Sequence, residues 1–147
     1  MVVAGLLLLA GCGGGDEETA TVSITKAQFL ERANAICAKS DDAINIQFEE
    51  FSRKHFKGGH VPSSARQARA GQEIVLPVME AQLKKLKALG VPPGEEEKLE
   101  RLFDAYEEGI RRGAADPMLM LGTIGEYAFT NAYEIAGAYG LPRCVTG

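Results

Sequence analysis

Apolar residues recur every three or four positions along most of this chain, and that recurrence predicts helices and no convincing strand. The first series is Phe29, Ala33, Ile36 or Cys37, Ser40, Ile44, Phe48, Phe51 and His55. It marks one face of a long helix ending near Gly58-Gly59. Ahead of it, Thr25-Lys26-Ala27-Gln28 matches a capping box, with Thr25 capping the first turn and Gln28 reaching back. A second series, Ile74, Val75, Val78, Met79, Leu86 and Leu89, predicts a helix from Ser63 or Ser64 to Leu89. Pro77 falls inside it, removes a backbone donor and should kink it. Gly90-Val91-Pro92-Pro93-Gly94 then ends it.

The third helix has its stripe at Leu99, Leu102, Phe103, Tyr106 and Ile110. Glu95, Glu96 and Glu97 stand in its first turn and Arg111-Arg112 in its last, which suits the helix dipole at both ends. Asp116 and Pro117 are placed to cap and open a fourth helix, with Leu121, Ile124, Ala128, Ile135 and Tyr139 as apolar positions and Gly140 as its stop. Gly122, Gly125 and Gly137 lower helix propensity within it and are expected at a tight crossing or beside a small groove. Connections this short favour antiparallel neighbours. The expected fold is therefore all-α, an antiparallel up-down four-helix bundle over residues 25–147, behind a disordered N-terminal tether.

A chain of 147 residues fits one such domain with a modest core. The formal net charge of −4, with Lys and Arg scattered among Asp and Glu, leaves no basic stripe. Nucleic acid is therefore not an expected partner. Past the first residues, no apolar run is long enough to span a bilayer.

The N-terminus departs from the helical pattern. Val2 to Ala10 is a continuous apolar run ending in Leu9-Ala10-Gly11-Cys12, which resembles the lipobox of bacterial lipoproteins. The resemblance implies that residues 1–11 are a signal peptide, truncated because no Lys or Arg supplies the positive n-region. It also implies that the Cys12 thiol accepts a diacylglyceryl group and becomes the first mature residue, with palmitate-type acyl chains holding it to membrane lipid. Each buried methylene adds about 0.8 kcal/mol, and two chains suffice for stable anchoring. Residues 12–24 then form the tether, since Gly13-Gly14-Gly15-Asp16-Glu17-Glu18-Thr19-Ala20-Thr21 is glycine-rich, acidic and free of large apolar side chains.

With Cys12 committed to lipid, an exported domain is left with Cys37 and Cys144 and one possible pairing. The alternative is two unpaired thiols. Cys37 lies about 18 Å along the first helix at 1.5 Å per residue. A bridge therefore requires the tail to fold back along the bundle, or the fourth helix to stop short.

Taken with Ile36-Cys37, the break at Leu89-Gly90-Val91-Pro92-Pro93-Gly94 and the closing Tyr139-Gly140-Leu141-Pro142-Arg143-Cys144, the lipobox makes the chain similar to small, all-helical, uncharacterised lipoproteins of high-GC bacteria. That resemblance implies a domain anchored at the extracytoplasmic face of a cell membrane and carries over no catalytic residue.

Catalytic, cofactor and metal signatures are sparse. His55 and His60 flank a Gly-Gly turn without a matching cysteine cluster, so no metal is expected. No phosphate loop, dinucleotide fingerprint or Gly-x-Ser-x-Gly occurs, and no cofactor is expected. The pairs Glu49-Glu50, Glu95 to Glu97 and Glu107-Glu108 fall on polar helix faces, where solvated charge explains them. Met118-Leu119-Met120-Leu121 is apolar on all sides at the start of the fourth helix and stands as a candidate patch for an envelope protein partner. The resulting expectation is a membrane-anchored binding, scaffolding or accessory module. A small envelope hydrolase and a subunit docking helix-on-helix with a larger envelope complex are the alternatives.

Overall fold

A computed structural model describes residues 23–55, 63–122 and 126–145. The expected signal peptide, Cys12 and most of the tether lie outside these residues, as do Gly58, Gly59, His60, Ile124 and Gly125. Among the described residues the chain is all-helical, with four helices and no strand. Helix α1 is Lys26–His55. Helices α2 (Ser64–Ala70) and α3 (Leu76–Lys87) are joined through a wide π turn at Gly71–Val75 into one helical run, the second of the four. Helices α4 (Glu96–Ala115) and α5 (Thr130–Tyr139) complete the set. None of the described helices is long and apolar enough to cross a membrane.

The capping box forms as its residues require. The Gln28 backbone N–H donates to Thr25 Oγ1 at 3.2 Å, and the Thr25 N–H donates to Gln28 Oε1 at 3.0 Å. Pro77 is accommodated by the π turn. The Leu76 N–H donates to the Gly71 carbonyl five residues back, so α3 starts afresh and Pro77 falls in its first turn, where a missing N–H costs nothing.

The fourth helix differs from expectation. Pro117–Met120 tightens into a single 3₁₀ turn, with Asp116 Oδ1 accepting from the Met118 N–H at 3.0 Å. Gly122 then adopts a left-handed φ of 62°, which an α-helix cannot continue. The Ala128 N–H donates to the Leu119 carbonyl at 2.9 Å, folding the segment back on itself before α5 begins at Thr130. Asp116 and Pro117 thus cap a turn, because the same cap chemistry serves any first helical turn, 3₁₀ or α. The glycines at close crossings are also other ones. A Cβ on Gly109 would overlap the Phe129 ring, and one on Gly71 would overlap the Pro117 carbonyl oxygen, whereas Gly137 meets only ordinary contact.

The main core is drawn from every helix: Phe29, Ala33 and Cys37 of α1, Met79, Leu83 and Leu86 of α3, Leu99, Leu102 and Tyr106 of α4, and Ala132 and Ala136 of α5, with Phe129 just before it. Burying one such large side chain contributes about 1.5–3 kcal/mol. A second, smaller cluster joins Phe51 of α1 to Ala70 and Ile74 of the second helical run.

Candidate functional site

A disulfide clasp and a charged groove gather where α1 begins and α5 ends, and a tyrosine cluster lies where α5 begins. The clasp starts at Tyr139, whose ring meets Phe29 edge-on at 6.0 Å between centroids, beneath Lys26 Nζ at 5.0 Å. Gly140, at φ 101°, turns the chain, and the Leu141 N–H closes the helix end on the Ala136 carbonyl at 2.9 Å. The tail then doubles back along α1. The Arg143 N–H donates to Asn34 Oδ1 at 3.0 Å, and Cys144 bonds to Cys37 one turn further on, with 5.0 Å between their Cα atoms. Of the two routes to this bridge, the chain takes the folded-back tail. Tyr106 Oη, from α4, donates to the Cys144 carbonyl at 3.3 Å and ties the tail to the core. Both cysteines are buried, and the bridge spans a separation of 107 residues. Loop-closure entropy for a span of that order is worth about 4.7 kcal/mol.

Where α5 begins, Tyr127 and Tyr133 share a hydroxyl–hydroxyl hydrogen bond of 2.9 Å, and both rings pack against Phe129. Burial raises the phenols of Tyr106, Tyr127 and Tyr133 above the usual tyrosine value, and the charge of Asp41 on α1 adds to the effect. Held neutral, they serve as hydrogen-bonding and packing groups.

The groove lies between the first turn of α1, the first turns of α4 and the last turns of α5. It encloses about 340 Å³ and is lined by Lys26, Lys98, Arg101, Ile135, Ala138 and Tyr139. Glu95, the residue before α4, anchors its rim: its carboxylate accepts from Lys26 Nζ at 3.2 Å and from Lys98 Nζ at 3.3 Å. Its desolvated position opposes ionisation, but the hydrogen bonds and charges of Lys26 and Lys98 prevail and hold the carboxyl below its ordinary 4.5. Among the described residues, Tyr139 Oη is the one buried side-chain polar atom without a partner at standard hydrogen-bond geometry, and the Glu95 carboxylate is the polar group that faces it. Burial first, and the Glu95 charge second, push that phenol up to about 12. A buried donor left unpaired costs about 1–3 kcal/mol.

The candidate patch is only partly outward. Leu119 and Met120 are buried in the core, while Met118 and Leu121 are half-buried at its edge. Packing a tight 3₁₀ turn against Gly71 and Gly113 draws the middle of the motif inward. His55 stacks on Phe51 at 4.5 Å, and its carbonyl accepts from Arg66 Nη1 at 2.9 Å. No cluster of three or more His, Cys, Asp or Glu suited to a metal occurs among the described residues. The groove escaped sequence reasoning. Lys98 and Arg101 share a helix face by spacing, but nothing along the chain links them to Lys26 or Tyr139. Compared with protein-family models, with curated proteins and with solved structures, the chain matches none.

Proposed function

We propose that this chain is an exported lipoprotein, acylated at Cys12 and held on the extracytoplasmic face of a cell membrane. There its helical domain serves as a binding or accessory module. In this reading residues 12–24 are a flexible tether entering the domain beside the capping box, and the four helices run in up-down order. The observation that supports it is the buried Cys37–Cys144 bridge, because a disulfide that pins a whole domain belongs to chains folded in an oxidising compartment. The order of cysteines fits as well, with one thiol left for lipid at the lipobox resemblance and two consumed by the fold.

The test is fractionation of the chain in a bacterial host. Cys12→Ser should move the protein out of the membrane fraction or stop its maturation, and unchanged membrane retention would overturn the reading. Thiol labelling before reduction should modify neither Cys37 nor Cys144; prompt labelling of both would place folding in a reducing compartment.

A further inference from the structure

We propose that the groove between α1, α4 and α5 binds a small amphipathic anion, a phosphate or carboxylate head carried on a short apolar body. This site stands whether or not Cys12 is acylated. Its lining mixes two chemistries: Lys26, Lys98 and Arg101 are cationic, and Ile135, Ala138 and the Tyr139 ring are apolar. A volume of about 340 Å³ takes a head group together with several methylenes.

The cations keep capacity for a ligand. The Lys26 and Lys98 side chains are 46% and 53% exposed, and each ammonium carries three donors and gives hydrogen bonds to Glu95, with Lys26 also lying over the Tyr139 ring. Arg101 approaches Glu97 only at 3.9 Å, beyond hydrogen-bond distance. Its planar fork therefore remains available to two oxygens of one head group. Three cations against the Glu95 and Glu97 carboxylates leave the groove with an excess of positive charge.

Tyr139 gives its ring to the groove lining, while its hydroxyl is buried beside Glu95 and does not open into the groove. Neither set of lining residues explains the other. A plain anion would leave the apolar residues unused, and a neutral hydrocarbon would leave three cations without a purpose.

The experiment is calorimetric titration of the full chain with octyl phosphate below its micelle concentration, alongside octanol, inorganic phosphate and phosphatidylglycerol vesicles. Octyl phosphate should bind about tenfold or more tightly than either octanol or inorganic phosphate. Combining Lys98→Gln with Arg101→Gln should weaken it by about tenfold or more, the loss expected on removing charged hydrogen bonds. Circular dichroism and the blocked thiols report that the variant is folded. Equal affinity in the Lys98 and Arg101 double variant would overturn the proposal. So would octanol or inorganic phosphate binding as well as octyl phosphate, or binding to the vesicles alone.

Discussion

The two halves of α1 carry the same spacing of apolar residues and meet different surroundings. In the first half, Phe29, Ala33 and Cys37 are completely buried in the main core, against α3, Tyr139 of α5 and the returning tail. In the second half, Ile44 and Phe48 are only half-buried, Ile46 is 58% exposed, and Phe51 shares a cluster with just Ala70 and Ile74. The first half has partners on several sides and a covalent tie. Among the described residues, the end of the second half packs on the second helical run. Periodicity announces a face that wants covering, and the depth of the cover depends on how many elements arrive. Stability should therefore be graded along the same helix, highest at the clasp and lowest toward His55.

The sharpest way to break this contrast is alkaline pH, because all four tyrosines lie in or against the main core. Their folded-state values are raised, so the stability they contribute is complete below the unfolded value near 10. It is lost as the pH climbs toward the folded values, about 12 for Tyr139. Tyrosinate absorbance should rise together with the loss of helical circular dichroism; independent titration of all four near pH 10 in a folded chain would refute their burial. Next in size is the bridge. Replacing Cys37 and Cys144 with serine should lower the unfolding free energy by about 4.7 kcal/mol, read from denaturant unfolding with a steeper slope, because the denatured chain without its cross-link exposes more surface.

Paired truncations probe the grading directly. Phe29→Ala should cost about 3–5 kcal/mol, whereas Phe51→Ala should cost about 1–2 kcal/mol because its cavity opens to solvent. Equal costs in chemical denaturation would erase the distinction between the halves. Gly71→Ala should cost about 1–3 kcal/mol, since the added methyl meets a backbone carbonyl that can yield only if the Pro117 turn moves. The smallest effect is expected at Glu95. Its depressed value means that its contribution is fully present above 4.5 and is lost as the pH falls through the lower folded value. Glu95→Gln should therefore flatten that acidic limb of the stability profile slightly and leave neutral pH nearly unchanged.

Much of the helical layout was legible in the chain. The Thr25–Gln28 box, the Gly140 stop and the stripe of α4 are local devices, in which a few adjacent side chains satisfy backbone groups or define one face. The start of the last helix was not legible. Asp116-Pro117 signals a first turn without saying how many turns follow, and the answer came from Gly122 and from the close seat of that turn on Gly71. The same packing buried the middle of the Met118–Leu121 motif. Lys26, Lys98, Arg101 and Tyr139 were invisible as a group because the groove is made by three helices meeting.

By itself the sequence determined the class of fold, because helix period and caps are properties of neighbouring residues. It also offered Cys37 just two partners, Cys12 and Cys144, and the structure pairs it with Cys144. The tertiary structure decided what the periodic faces were worth, where the last helix begins, and how the tail reaches Cys37. Those outcomes depend on how distant segments compete for the same space, and that competition is settled only when the core closes.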